Sequence, residues 1–156
     1  YKKDAKKKDV HIAFDGDAVL FSDESEKIYK KQGLEAFVKH EKKNAKNPLP
    51  KGPFAKLLKV ISQIQKKFPM EKAPIKTSLI TARDFATFER VIRTFDAWDV
   101  RVDEAFFLGG VEKRRVVKSF KADIFFDNQD VHLKNSEQVV PSGKDLYPSS
   151  ATLNNN

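Results

Sequence analysis

The chain has 156 residues, a length that fits one domain of ordinary size, and 40% of its residues are hydrophobic. It contains no cysteine, which excludes disulfide bonds and thiolate metal sites, and its apolar runs are too short to span a bilayer. The net charge is +8, and part of this excess lies in a lysine-rich leader at residues 1–9. We interpret the leader as a solvated tail, and we expect neither a nucleic-acid partner nor a membrane partner.

The chain opens on Tyr1 with charged residues and shows no signal-peptide pattern. We therefore expect a cytoplasmic location. The start at Tyr1 rather than at methionine suggests a piece of a longer protein. A basic surface attracts anionic small molecules, so an anionic substrate is compatible with the overall charge.

The first predicted strand is the apolar run that ends at Phe14, and it is followed at once by Asp15, Gly16 and Asp17. Ligands of open α/β sheets bind at the carboxyl ends of strands. Two carboxylates this close repel each other unless a cation lies between them or one is protonated. A divalent cation that prefers oxygen ligands, such as Mg²⁺, is the natural partner. Taken alone, the tripeptide is more often a turn with two solvated acids.

Helical patterns follow this tripeptide. Residues 22–31 and 34–44 predict two helices separated by Gly33, and the Pro-rich and Gly-rich residues 47–53 predict a loop. We expect residues 22–53 to form a small helical cap over the site, in which Phe21, Asp23 and Lys27 could select the substrate. Helices packed on the sheet edge explain the same pattern equally well. The next helix has one apolar face: Phe54, Leu57, Leu58, Ile61, Ile64 and Phe68.

Three further strands alternate with helices. Residues 75–80 predict a strand that ends at Thr81, residues 105–108 one that ends at Gly109, and residues 124–126 one that ends at Asp127. The helix predicted at residues 84–98 should turn one set of side chains inward: Phe85, Phe88, Val91, Ile92 and Phe95. A second helix is predicted at residues 113–120.

The end of the chain carries weaker signals. Val139 and Val140 are a candidate short edge strand. We place the core at residues 10–141 and a tail at residues 142–156, whose terminal asparagines we expect to be disordered.

This alternation of short apolar strands and helices is typical of an α/β fold. It predicts a Rossmann-like three-layer sandwich with a mainly parallel central sheet covered on both faces. In such a sheet the ends of the strands line one crevice, which would bring Asp15, Thr81 and Asp127 together.

These residue types suit phosphoryl transfer. A carboxylate can attack phosphorus and form an acyl phosphate that water then hydrolyses. The hydroxyl of Thr81 can hold a phosphoryl oxygen, Lys113 can balance charge, and Asp17 can act as general acid and base. Each residue alone also has an ordinary structural role. The histidines His11, His40 and His132 show no metal-ligand spacing, and we interpret them as structural or surface residues.

The order of these motifs resembles the haloacid dehalogenase-like hydrolase superfamily. The pieces that carry the likeness are Phe14 to Val19, Ser78 to Arg83, Lys113, and Ile124 to Asn128. Residues 15–26, 79–83, 102–110 and 124–127 look more closely like the cytosolic 5'-nucleotidase I family, here represented by its catalytic half.

The resemblance implies Mg²⁺-dependent removal of the 5'-phosphate from nucleoside 5'-monophosphates. It implies Asp15 as nucleophile and Asp17 as general acid and base. It implies two further sets of residues: Thr81, Ala82 and Lys113 as phosphate-binding residues, and Asp15, Asp17 and Asp127 as metal ligands, Asp17 through its backbone carbonyl.

Two departures from the family pattern stand out. Asn128 occupies the place where family members often carry a second acid, and Asp130 could compensate for it. Family members also commonly have a further region before the nucleophile, so oligomer formation or association with such a region is expected.

Several questions stay open at this stage. The substrate could be another small phosphate ester, or the chain could be a weakened nucleotide-binding module. Arg83 could meet the phosphate or pair with Asp84.

Overall fold

The computed structural model describes residues 8–144, and its central element is a five-stranded parallel sheet. In the order β3-β2-β1-β4-β5, every neighbouring pair of strands is parallel. The strands are β1 (Val10–Phe14), β2 (Ile75–Thr81), β3 (Glu104–Phe107), β4 (Ile124–Asp127) and β5 (Ser142–Lys144). The predicted α/β class with a mainly parallel sheet is confirmed.

Helices alternate with the strands as the sequence pattern predicts, except that the last helix, α5, was not predicted. They are α1 (Glu24–Lys43), α2 (Ala55–Gln65), α3 (Phe88–Trp98), α4 (Lys113–Ser119) and α5 (Asp130–Ser136), with 3₁₀ turns at Met70–Lys72 and Phe85–Thr87. Gly33 interrupts α1 with φ of +83°, a conformation that side-chain-bearing residues rarely adopt, so the two predicted helical segments meet at the predicted break. None of the helices within residues 8–144 has the length and apolar character that crossing a membrane requires.

Strand β1 lies in the middle of the sheet and contributes to both cores. Phe14 packs with residues of α2, α3 and the loop after β1, whereas its neighbour Ala13 faces a second cluster that includes Val117 of α4. Consecutive strand residues point to opposite faces, which is why a continuous apolar run signals a sheet covered on both sides.

The residues that were predicted to face inward on the helices after β1 and β2 are only partly the buried ones. On α2, Leu58 and Ile61 are buried, but Leu57 and Ile64 are exposed, as is Phe68 just beyond the end of the helix. Besides Ala55, the other buried positions of α2 are polar, Ser62 and Gln65. The apolar pattern misled because these polar side chains bond to neighbouring loops: Ser62 Oγ accepts from Arg101 N, and Gln65 Nε2 donates to Asp103.

The helix after β2 differs in the same way. Its start is a 3₁₀ turn rather than an α-helix, and Phe85, Phe88 and Ile92 are exposed instead of inward. Val91 and Phe95 are buried as predicted. The other buried positions of α3 include Arg90 and Thr94, whose polar groups bond within the protein.

The edge of the sheet also differs from the prediction. Val140 is buried against the sheet rather than forming a strand, and the edge strand is β5, which pairs with β4. The sheet therefore extends past residue 141, where the sequence pattern placed the end of the core. The terminal asparagines and most of the basic leader lie outside the described residues.

Leu58→Ala and Leu57→Ala form a matched pair of neighbouring substitutions on opposite faces of α2. We expect Leu58→Ala to lower the free energy of unfolding by about 2–5 kcal/mol, because it opens a cavity between α2 and the sheet. Leu57→Ala should cost well under about 1 kcal/mol, because this side chain is already exposed. Urea denaturation of both variants measures the difference, and equal losses would contradict the observed orientation of α2.

Candidate active site

The predicted site residues converge at the carboxyl end of the sheet. Asp15 follows β1, Thr81 ends β2, Asp127 ends β4, and Lys113 opens α4. A cavity of about 410 Å³ opens here and is lined by Asp15, Thr81 and Lys113 among others. The central geometric expectation from the sequence therefore agrees with the structure, although the chemical role of each residue stays a prediction.

Lys113 lies between two buried carboxylates. Its Nζ is 2.8 Å from Asp15 Oδ2 and 2.8 Å from Asp127 Oδ2. The second oxygen of each acid is also held, because Asp15 Oδ1 accepts from Gly16 N and Asp127 Oδ1 accepts from Gln129 N. The two carboxylates are thereby fixed within reach of one ammonium group.

Burial and the neighbouring charges shift the pKa values of the groups in this cluster. Burial raises the pKa of Asp15 to about 7, even though Lys113 pulls it down, and the nearby Asp127 adds to the rise. Burial lowers the pKa of Lys113, but the two carboxylates outweigh burial and hold it above its ordinary value. Since two acids share one ammonium, the cluster attracts a further positive charge.

The loop after β1 brings Asp15 and Asp17 close to the end of β2. A Cβ placed on Gly16 would lie 3.1 Å from Thr81 Oγ1, so glycine allows this close approach. The loop is anchored from its far end, because Val19, Leu20 and Phe21 are fully buried in the core. Phe21 is therefore a core residue, and it is absent from the cavity lining.

Asp17 also lines the cavity, and both oxygens of its carboxylate accept hydrogen bonds from Arg83. The Arg83 Nε donates to Asp17 Oδ2 at 2.7 Å, and Nη2 donates to Oδ1 at 2.6 Å. The third nitrogen, Nη1, donates to Glu41 on α1. Of the two alternatives left open for Arg83, pairing with a helix acid is the one observed, but the acid is Glu41; the Asp84 carboxylate instead accepts from Ala86 N at the start of the 3₁₀ turn.

Helix α1 forms one wall of the cavity. The lining residues that it supplies are Glu26, Tyr29, Lys30, Leu34 and Phe37. The sequence pattern did not indicate these residues. It suggested Phe21, Asp23 and Lys27 for substrate selection, and none of these three lines the cavity. Asp23 is buried and pairs with Lys27 one helical turn on. Helical spacing from Glu26 was the available signal, since Glu26, Tyr29, Lys30 and Leu34 recur on one face.

The segment after β4 contributes Gln129 and His132 to the cavity lining. The phosphate-binding candidates Ala82, after β2, and Lys113, at the start of α4, also line the cavity. The sequence pattern did not place His132 in this cavity, and its position in the cavity lining does not contradict its interpretation as a structural or surface residue. Burial lowers the pKa of His132, and the nearby Lys113 lowers it further. His132 lies in the first turn of α5, shortly after Asp127 at the end of β4, and this closeness in sequence was the available signal.

Asn128 and Asp130 lie in different surroundings. Asp130 is exposed, and its carboxylate pairs with Lys144 of β5 at 2.7 Å, so it does not compensate for Asn128. The Oδ1 atom of Asn128 is buried and has no hydrogen-bond partner among the described residues. A buried carbonyl oxygen without a donor is a position that a cation or its bound water can satisfy.

The oxygen atoms near Lys113 fit a hard divalent cation. Asp15 and Asp127 supply carboxylates, and Asn128 follows Asp127 directly in the chain. Within residues 8–144 there is no group of three or more His, Cys, Asp or Glu side chains arranged to hold a metal ion. The Asp17 side chain is occupied by Arg83, which leaves two carboxylates for a cation.

Lys113→Met removes the only ammonium that the structure places between Asp15 and Asp127. We expect a loss of roughly 3–5 kcal/mol in the free energy of unfolding at neutral pH, because two buried acids would face each other without a cation. Lys118→Met is the matched control on the same helix, since Lys118 is exposed and should change stability little. Chemical denaturation in a chelating buffer measures both, and a Lys113→Met variant as stable as the control would contradict the proposed charge balance.

Comparisons with known proteins agree with this geometry. A family model described as 5'-nucleotidase matches residues 1–151. Over 135 residues the chain is 38% identical to cytosolic 5'-nucleotidase 1B of Homo sapiens, an alignment that covers 83% of this chain and 22% of that protein. The chain thus spans about a fifth of the length of this curated relative.

A solved structure supports the fold. The HAD domain of the effector protein Lem4 from Legionella pneumophila, determined as an inactive mutant, matches with a TM-score of 0.52 and 10% identity. The match covers 92% of this chain and 88% of that domain, and at this identity it concerns the fold alone. The resemblance expected from the sequence is confirmed: the chain belongs to the 5'-nucleotidase family and has the fold of a HAD domain.

Proposed function

We propose that this chain is the catalytic part of a Mg²⁺-dependent 5'-nucleotidase that hydrolyses nucleoside 5'-monophosphates through an aspartyl phosphate on Asp15. The observation that carries the proposal is the buried cluster of Asp15, Lys113 and Asp127, with Asp17 and Thr81 beside it. Family membership supports the reaction type. The name of the human relative, cytosolic 5'-nucleotidase 1B, supports a cytosolic location.

Asp15 is the proposed nucleophile. One carboxylate oxygen attacks phosphorus, the bond from phosphorus to the 5'-oxygen breaks, and the nucleoside leaves with a proton from Asp17. Water then attacks the acyl phosphate and loses a proton to Asp17, which releases phosphate and restores Asp15. The hydrogen bond from Gly16 N fixes one Asp15 oxygen during both steps.

The phosphoryl group would be held beside Asp15 by Thr81, Ala82 and Lys113, all of which line the same cavity. Lys113 supplies a buried positive charge, which is far more effective in a water-poor site than at the surface. The residues proposed to hold Mg²⁺ are Asp15 and Asp127 through carboxylates, Asp17 through its carbonyl, and Asn128. When bound, the cation would neutralise charge between the carboxylates and the phosphoryl group.

The nucleoside would lie along the α1 wall of the cavity. Tyr29 and Phe37 meet there edge to face, with ring centroids 6.2 Å apart, and Leu34 adds apolar surface. Glu26 is buried and lines the same wall; Lys30 lies 2.6 Å from its Oε1, whereas Oε2 has no hydrogen-bond partner within residues 8–144. An acceptor of this kind suits the hydroxyls or amino groups of a nucleoside. One end of the cavity is therefore charged and the other mixed, which favours a nucleotide over a simple sugar phosphate.

Asp15→Asn is expected to fold normally and to lose turnover down to the background rate, because an amide cannot form the acyl phosphate. Phosphate release from a panel of nucleoside monophosphates and sugar phosphates with Mg²⁺ measures this. Asp99→Asn is the matched control, since Asp99 is exposed and pairs with Lys66 far from the strand ends. Substantial turnover by Asp15→Asn would refute the proposed nucleophile, and a wild-type preference for sugar phosphates would refute the substrate class.

Asn128→Asp restores the second acid of the family pattern. We expect the Mg²⁺ concentration for half-maximal activity to fall roughly tenfold, because a charged oxygen replaces an amide beside Asp127. Calorimetric titration with Mg²⁺ provides a readout that is independent of turnover. Asn47→Asp introduces the same charge at an exposed loop position and should leave both readouts unchanged. An unchanged Mg²⁺ midpoint for Asn128→Asp would exclude Asn128 from the metal site.

A further inference from the structure

A row of buried charges runs from the cavity into the protein, and the catalytic scheme above uses only its first member. The row is Asp17, Arg83, Glu41 and Arg90, and it joins the loop after β1 to helices α1 and α3. Only 4% of Arg83, 1% of Glu41 and 4% of Arg90 is exposed. Such charges persist only where each one is paired and hydrogen-bonded.

Glu41 is fully engaged by its neighbours. Its Oε2 accepts from Arg83 Nη1 at 2.5 Å, and its Oε1 accepts from Arg90 Nη1 and from Ser25 Oγ, each at 2.8 Å. Arg90 is fixed in turn, because its Nε donates to the backbone oxygen of Asn47. Glu41 is thus held by the first turn of α1, by the loop after β2 and by α3.

Arg83 depends on Glu41 for its orientation. The guanidinium has three nitrogens available, and Glu41 takes Nη1 while Nε and Nη2 both face Asp17. Its carbon lies 5.2 Å from the ring centroid of Phe37 and 5.8 Å from that of Phe21, so aromatic rings flank the group. Without the Glu41 contact, Nη1 would be a buried donor with no partner, and the guanidinium would turn to find one.

The electrostatics agree with a charged pair of Glu41 and Arg83. Burial alone would raise the pKa of Glu41, but Arg83, Ser25 and Arg90 outweigh it and hold that pKa below its ordinary value. Burial likewise lowers the pKa of Arg83, but the charges and hydrogen bonds of Asp17 and Glu41 outweigh it and raise that pKa. Arg83 therefore carries one positive charge between two acids.

We propose that Glu41 is a positioning residue for Asp17: by holding Arg83, it sets the direction in which the Asp17 carboxylate faces the cavity. The inference rests on the proposed function, in which Asp17 protonates the departing 5'-oxygen. Helix α1 then contributes to proton transfer, through Glu41, as well as to the cavity wall. A misplacement of about 1 Å at a catalytic group can cost roughly a hundredfold in rate.

The leaving group separates positioning from a purely structural role. A nucleoside 5'-oxygen is strongly basic and needs a proton as it departs, whereas p-nitrophenolate is a stable anion that leaves without one. Misplacing Asp17 should therefore slow a nucleoside monophosphate much more than p-nitrophenyl phosphate. A general loosening of the fold would slow both substrates alike.

Glu41→Gln in the full chain is the test. We expect kcat for a nucleoside monophosphate to fall about tenfold or more with KM within about twofold, and kcat for p-nitrophenyl phosphate to fall less than about threefold. In the Asp17→Asn background, Glu41→Gln should have almost no further effect on kcat, because both changes act through the same group. Parallel losses on the two substrates, or additive losses in the double variant, would overturn the inference.

Asp103→Asn is the control, at a partly buried acid that is also held by several hydrogen bonds. Asp103 accepts from Gln65 Nε2, from Thr77 N and from Arg101, in a second, partly buried polar cluster near the start of β3. This variant should lower the melting temperature while leaving the ratio of the two kcat values unchanged. A shift of that ratio in Asp103→Asn would show that the ratio reports stability, and the inference would fall.

Two further outcomes are distinguishable. If Glu41→Gln does not fold, Arg83→Lys carries the test, because lysine keeps the charge but cannot grip both oxygens of Asp17. Arg83→Lys should give the same loss confined to the basic leaving group, and equal losses on both substrates would refute the inference. If the wild-type chain with Mg²⁺ hydrolyses neither ester, it is the proposed function that fails.

Discussion

The ammonium of Lys113, shared by Asp15 and Asp127, is the interaction on which the site depends. Two carboxylates buried at neighbouring strand ends could not both stay charged without a cation between them. Helix α4 begins at Lys113 and supplies that charge. The result is a cluster with excess negative charge, which is chemically suited to bind a divalent cation.

The rest of the fold keeps this cluster in place. Val19, Leu20 and Phe21 are buried in the core directly after the acidic loop, so the loop is pinned at both ends. Gly16 lets that loop pass within van der Waals contact of Thr81. A core of ordinary apolar residues thereby converts a short polar segment into a rigid one, which is what preorganised catalysis requires.

Helix α1 lines the cavity proposed for the substrate and also holds the arginine bound to Asp17. One face of it lines the cavity, and Glu41 near its end holds the arginine that grips Asp17. The proposed nucleotide would therefore contact the same helix that orients the proposed general acid. Because buried ion pairs contribute specificity of geometry more readily than net stability, such a row of charges is better explained by positioning than by stabilisation.

The sequence alone determined four of the five strands, their order along the chain, and the strand ends at Asp15, Thr81 and Asp127, because local apolar runs and breaks carry that information. It also indicated the family, since several motifs occur in register. Tertiary structure alone decided the partners of Arg83, the cavity wall from α1, the place of His132, and which faces of α2 and α3 are buried. Those contacts join residues far apart in the chain, and a buried polar residue such as Glu41 or Arg90 has the same local signature as an exposed one until its partner is known.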